Sequence, residues 1–344
     1  MGEIITRSIL VGITLLITSC NFQNSATAPN SPDEIRVSRF VDPFIGTGGH
    51  GHTFPGASRP FGMIQLSPDN GRSGWDWSSG YHYSDSIISG FSHLHLSGTG
   101  IGDLSDILFM PINKEVDLKV KVDSIENIPY SSKFKHSTEE ASPGFYTVYL
   151  EDHDIKVSLT TTERTGYHKY EFKKDELQSL VIDLGFAINW DRSTDSQINI
   201  EDATTISGYR FSTGWAENQK VFFVAELSKP ITKKRLVTDG KEVKEKTAKG
   251  RRTAAQLFFD AEGDEELKVK VALSSVSINN ARENLDKVEF NFEEIKEESA
   301  QVWENSLRDI EIKTEVDSLK TIFYSSLYHT KLAPVTFNDK NGEL

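Results

Sequence analysis

Five of the nine histidines fall between Val41 and Pro111, at His50, His52, His82, His93 and His95. The same stretch carries Trp75 and Trp77 and many glycines. Indole and imidazole give flat faces and hydrogen-bonding edges. Glycine lets a backbone turn tightly and approach a ligand closely. Together they predict the wall of a ligand site built on loops. Within it, Gly74-Trp-Asp-Trp-Ser-Ser-Gly80 is the strongest ligand feature. The C–H face of a sugar packs on an indole ring, and Asp76 can accept hydrogen bonds from hydroxyls. Either tryptophan could instead be core.

Two H-x-H pairs, His50/His52 and His93/His95, could each share a transition metal on a strand. The first lies in a glycine loop, where that geometry is not assured. Hydrogen bonding to a ligand or to the protein is the stronger reading of both. Ser97-Gly-Thr-Gly-Ile-Gly-Asp103 is a second glycine loop, read equally as a row of backbone N–H donors with Ser97 at its head or as a tight turn. Gly46-Thr-Gly-Gly-His-Gly51 fits the dinucleotide pattern G-x-G-x-x-G, but Thr53-Phe-Pro-Gly56 cannot open the helix that pattern needs. No acid–base carboxylate pair stands out, because 51 acidic residues make spacing uninformative.

The elements that must position these residues are mainly strands. Between Val116 and Ser275, segments Phe145–Leu150, Ile155–Leu159, Tyr167–Phe172, Leu180–Leu184, Val221–Leu227, Ala255–Phe259 and Leu267–Leu273 are rich in Val, Ile, Tyr, Phe and Thr, with turn residues between them. Strands in series without intervening helices predict a large antiparallel sandwich. Leu267–Leu273 alternates, which predicts one wet and one buried face. Lys241–Arg252 reads as an exposed hairpin or loop. After Ser277 the period becomes helical. Asn279-Asn280 is a candidate cap for a helix through Leu285. Phe292, Ile295, Val302 and Trp303 share one helical face, and Val316, Leu319, Phe323 and Leu327 another.

The formal net charge of −13 over 344 residues disfavours nucleic acid and anionic membranes as partners. It suits a neutral sugar or a cation. Arg7, the apolar run Ile9–Ile17 and Thr18-Ser-Cys20 read as a secretory signal of the lipoprotein type, with Cys20, the single cysteine, lipidated. Residues 21–38 read as a flexible tether, 39–276 as the sandwich and 277–344 as linker helices with the start of a further domain.

The segments VDPFIGTGGHGHTFPGASRPFGMIQLSPD, GWDWSSGYHY and GFSHLHLSGTGIGD, with VALSSVSINNARENL and YSSLYHTKLAPVTF further on, resemble glycoside hydrolase family 92, the bacterial exo-acting α-mannosidases. The resemblance implies a galactose-mutarotase-like β-sandwich, linker helices and a C-terminal (α/α)6 barrel, with the active site between the two. It implies mannose-containing glycans as partners, of α-1,2 type, an inverting mechanism and calcium as cofactor. The acid, the base and most calcium ligands belong to the barrel, so no catalytic residue is expected in these 344 positions. Trp75 or Trp77, Asp76, His50, His52, His93, His95 and Ser97 are the expected substrate-binding set. The metal ligands and the oligomeric state stay open. The expected place is the periplasm or the outer cell surface. The rival reading is a non-catalytic glycan-binding lipoprotein.

Overall fold

The computed structural model describes residues 36–71, 73–119, 127–261, 265–285, 287 and 289–344. The signal segment, Cys20 and the tether through residue 35 lie outside them. Among the described residues no helix is long and apolar enough to cross a membrane.

Two antiparallel sheets face each other. The first runs, edge to edge, through Ala57–Ser58, Gln65–Asp69, Gly90–Ser92, Leu108–Ile112, Gln178–Asp183, Thr253–Phe259, Ile231–Thr238 and Lys241–Val243. The second runs through Thr247–Gly250, Arg192–Ile200, Thr205–Thr213, Gln219–Leu227, Glu266–Ser274, Thr165–Glu171, Ile155–Thr161, Phe145–Leu150 and Glu140–Ser142. One continuous core fills the gap. Leu66, Phe109, Leu180 and Leu257 meet Val157, Ile198, Phe223 and Val269 there. Phe109 and Phe223 touch edge to face across the layers at 6.4 Å. All seven strands expected between Val116 and Ser275 are present, most a residue or two longer.

Three readings change. Lys241–Arg252 is not a hairpin: Lys241–Val243 pairs with Ile231–Thr238, whereas Thr247–Gly250 pairs with Arg192–Ile200. The stretch crosses from the edge of one sheet to the edge of the other. Leu267–Leu273 has little wet face, since only Lys268 on it is partly exposed. Helix α1 (Ile278–Asn284) covers Val224 and Ala272 with Ala281 and Leu285. Lys270 is held under this cover, 2.7 Å from Glu226 and over the ring of Phe290. The cap of α1 is Ser277, whose Oγ accepts from the Asn280 N–H at 3.1 Å.

Helix α2 (Phe292–Leu307) and helix α3 (Asp317–Thr330) build a second core. Trp303, Leu307, Tyr324, Tyr328 and Leu332 enclose Val41 and Phe54. Val302 faces outward instead of joining Trp303, and the buried side of α3 is Tyr324, Ser325 and Tyr328, not Val316 and Leu319. Trp303 is fully buried and donates its indole N–H to Ser58 O at 2.7 Å. Truncating it to Ala would cost about 3–5 kcal/mol. Glu304 is buried beside it and accepts from Val37 N at 3.0 Å and Ser38 N at 2.9 Å. The last tether residues are therefore docked on α2, not loose. These contacts bring residues 37–54, the root of the histidine loop, onto the helices.

Inside the sandwich His93 Nε2 meets His168 Nε2 at 2.9 Å. His93 Nδ1 donates to Ile107 O at 2.6 Å, and Tyr170 OH donates to His168 Nδ1 at 2.8 Å. This chain closes only if both rings are neutral, since a further proton would set N–H against N–H. Burial pushes His93 down to about 4 and His168 well below its usual range. With folded pKa values depressed, the contribution to stability is complete above the unfolded value of about 6.5 and is lost as pH falls towards 4. NMR of labelled imidazoles should find both rings neutral down to about pH 5. Titration of either between pH 6 and 7 would contradict the network.

Candidate functional site

The 46–53 loop, the Trp75–Trp77 turn and the 97–104 loop converge at one end of the sandwich. Trp75 opens a single 3-10 turn after Gly74, a residue at φ 142°. Ser78 Oγ closes that turn onto Trp75 O at 2.9 Å and reaches Thr99 O at 3.2 Å. Ser79 Oγ donates to Thr53 O at 3.0 Å, and Gly98 N to His52 O at 2.6 Å. Three sequence-distant loops are thereby tied together, two of the bonds coming from serine hydroxyls and one from a backbone N–H.

The two tryptophans separate cleanly. Trp77 donates its indole N–H to Asp85 and tilts against His82 at 5.0 Å. Trp75 remains 57% exposed, with the His52 ring edge-on to it at 4.2 Å and His50 at 5.5 Å. Only Trp75 offers a free indole face. His50 Nδ1 lies 2.8 Å from Asp76 Oδ1, and this hydrogen bond holds the Asp76 carboxyl below its usual range. His52 is buried, and its Nε2 has no hydrogen-bond partner among the described residues. That nitrogen is itself closed off from the surface, so the ring serves the site by packing against the indole.

Two glycines of the 97–103 loop have a further role, that of clearance. A Cβ on Gly100 would lie 2.1 Å from Trp75 Nε1, and one on Gly102 would lie 1.8 Å from Asn189 Nδ2. They are clearances that let Trp75 and Asn189 seat. Asn189 Oδ1 in turn accepts from Gly74 N at 2.6 Å. Beyond them Leu104, Ser105 and Ile107 all hold positive φ, at 72°, 62° and 61°. Such strain, of order 1 kcal/mol or more per residue, persists only where neighbours fix it. Here Asp103 accepts from Leu104 N and Ala216 N, and Ser105 Oγ donates to Asp69 at 2.8 Å. Asp106 is locked to Arg210.

Several expected residues sit elsewhere. His93 is wholly interior, as described, and does not reach the site surface. His95 is buried beneath Phe54. Its Nδ1 meets Gln65 O, and its Nε2 lies 3.2 Å from both Ser92 Oγ and Asp69 Oδ1. Serine and aspartate share one ring nitrogen there, so the group cannot relay a proton as a nucleophile–base–carboxylate triad does. It props the loops from below. Ser97 is half-buried in the loop next to Gly98. The His93/His95 pair diverges to different partners, and no group of three or more His, Cys, Asp or Glu among the described residues could hold a metal ion. The G-x-G-x-x-G segment folds onto itself, with Thr53 N on Gly46 O at 3.3 Å, and no helix follows it.

Unforeseen participants are Asn189, Asp191, Arg210 and the 214–216 turn. Arg210, fully buried, binds Asp106 at 2.5 Å, Asp191, and the carbonyls of Leu184 and Phe186 at 3.1 Å each. Burial raises the Asp191 carboxyl to about 6 against the pull of Arg210. The signal for this centre was an arginine amid Tyr209, Phe211 and small residues in a strand pattern. It demands buried acidic partners but does not name them.

Comparison with known proteins follows the geometry. Residues 40–274 match the glycosyl hydrolase family 92 N-terminal domain, and residues 280–344 match a second family model, the glycosyl hydrolase family 92 catalytic domain. The solved family GH92 α-mannosidase BT3965 from Bacteroides thetaiotaomicron, in complex with mannoimidazole, is 35% identical with a TM-score of 0.83, covering 90% of this chain and 41% of that one. The family GH92 inverting mannosidase BT2199 from the same organism is 26% identical with a TM-score of 0.77, covering 91% and 42%. An uncharacterized secreted glycosidase of Arthroderma benhamiae is 24% identical over 341 residues, 89% of this chain and 42% of its own length. The chain thus spans about two fifths of the relatives it matches.

Unfolding in urea should separate the two indoles. Trp77→Phe removes the donor to Asp85 and should cost about 1–3 kcal/mol. Trp75→Ala should stay within about 0.5 kcal/mol of the parent. Equal losses would mean that Trp75 is structural.

Proposed function

Since this chain belongs to glycosyl hydrolase family 92, we propose that it is the sandwich portion of an exo-acting α-mannosidase that removes terminal mannose from glycans. The observation that carries this reading is the exposed face of Trp75, framed by the ring of His52 and by the His50–Asp76 pair. An indole face takes the C–H side of a pyranose, and the ionised Asp76 accepts from a hydroxyl. That the related α-mannosidase BT3965 was solved with mannoimidazole supports the same substrate class.

The chain's own carboxylates do not act as the acid and base of this proposal. Asp106 and Asp191 are held by Arg210, Asp103 by backbone N–H groups, Asp69 by Ser92 and Ser105, and Asp85 takes the Trp77 indole. Inverting hydrolysis needs one carboxylic acid at the leaving oxygen and one carboxylate on a water at the opposite face. We place both in the further length that the relatives possess. The same holds for calcium. The described residues form no cage of acidic side chains for it, so no step here passes through that ion. Preference for α-1,2 linkages belongs to the proposal as well. So does secretion as a lipoprotein anchored through Cys20, for which the secreted relative gives support.

Two measurements test this division of labour. Calorimetry should detect methyl α-mannoside binding by the 344-residue chain, unaffected by EDTA and weakened at least about tenfold in Trp75→Ala. The same chain should release no mannose from α-mannosides with or without calcium. Hydrolysis by it would overturn the assignment of acid and base. Absence of binding would overturn the role of the Trp75 face.

A further inference from the structure

Two more tryptophans stand unburied near the site. Trp190 is 56% and Trp215 is 66% exposed, as open as Trp75. Each lies one residue from a contact that ties its loop to the Trp75 loops. Asn189, next to Trp190, bonds Gly74, next to Trp75, at 2.6 Å. Gly214, next to Trp215, packs so closely on the neighbouring loop that a Cβ there would stand 3.0 Å from Asp191 Cα and 2.9 Å from Asp103 Oδ1. Ala216 N, on the other side of Trp215, donates to Asp103 at 2.8 Å. The three indoles therefore belong to one rim of abutting loops.

That rim is stiff. Arg210 clamps Asp191 directly behind Trp190 and Asp106 behind the glycine loop. Large aromatics are usually spent on burial. Three held more than half open on rigid loops form a preformed apolar platform, which lowers the ordering cost of binding. Asn189 and the exposed Arg192 lie beside Trp190, and the exposed Glu217 and Asn218 follow Trp215, so the surface suits a ligand with alternating C–H faces and hydroxyls rather than an apolar peptide.

We propose that Trp190 and Trp215 extend the sugar surface beyond Trp75, carrying the second and later units of an α-linked mannose oligosaccharide while Trp75 takes the terminal unit. This rests on the mannoside reading above and adds a preference for longer chains.

The test is calorimetry on the full 344-residue chain with methyl α-mannoside and with α-linked mannose oligosaccharides of two, three and four units. Affinity should rise with length, and Trp190→Ala and Trp215→Ala should each lower tetrasaccharide affinity about five- to tenfold while leaving methyl α-mannoside binding unchanged. Exposed as they are, both variants should keep the parent's thermal midpoint. Affinity independent of length, or a length dependence untouched by both substitutions, overturns the inference while leaving the Trp75 reading intact. Equal loss for monosaccharide and tetrasaccharide also overturns it. If no mannoside binds the parent chain, the mannoside reading fails and this inference fails with it.

Discussion

The buried guanidinium of Arg210 is the constraint on which the loop end of the sandwich depends. It comes from the strand Thr205–Thr213 and gathers Asp106, Asp191 and the carbonyls of Leu184 and Phe186. Those partners come from two separate connections between strands, 93–107 and 184–191. A charge taken out of water is costly unless every donor is used, and losing one partner of such a group costs about 3–5 kcal/mol. The centre is thus weak evidence for stability and strong evidence for position. With Asp106 fixed, the positive-φ residues Leu104, Ser105 and Ile107 are held. With Asp191 fixed, Asn189 can reach Gly74 and fix the Trp75 turn.

A second constraint acts from below. The outer face of the larger sheet is covered in part, where α1 lies on Val224 and Ala272 and α2 on Tyr167 and Phe145. Residues 37–54 are pinned to α2 and α3 through Glu304, Ser325 and the Trp303 cluster. The histidine loop therefore has one root on the helices and its tip on the sheet loops. Helix and sheet are coupled at the place where a sugar would be bound.

Much of this was legible in the chain. Strands rich in Val, Tyr, Phe and Leu, such as Phe145–Leu150 and Thr253–Phe259, announce themselves by composition and by the turn residues around them. Arg192–Ile200 and Ile231–Thr238 do not, because polar residues fill most of their positions, Ser193 and Ser196 being buried ones, and both carry a break in register. The Trp75 loop was visible as an unusual composition. Its supports were not: Asn189 and Arg210 act across more than a hundred positions, and no local pattern marks a partner that far away. His93 was misplaced because spacing alone cannot tell a ligand-facing imidazole from one satisfied inside the core. What decided it was His168, unremarkable in the sequence, standing 2.9 Å away.

The glycines settle how composition and geometry meet. In Ser97-Gly-Thr-Gly-Ile-Gly-Asp103 the repeat looked like a turn or an anion cradle. Gly100 and Gly102 are small because Trp75 and Asn189 occupy the space a Cβ would need. A methyl at either position would push on an indole or on an amide already bound to a backbone N–H. The same loop then ends in Asp103, which spends both oxygens on backbone N–H groups. The Trp75 face is exposed here because the loops behind it pack against one another and are largely hydrogen-bonded, His52 Nε2 and Asp191 Oδ1 excepted. That is why recognition can be built into loops without an apolar pocket to hold them.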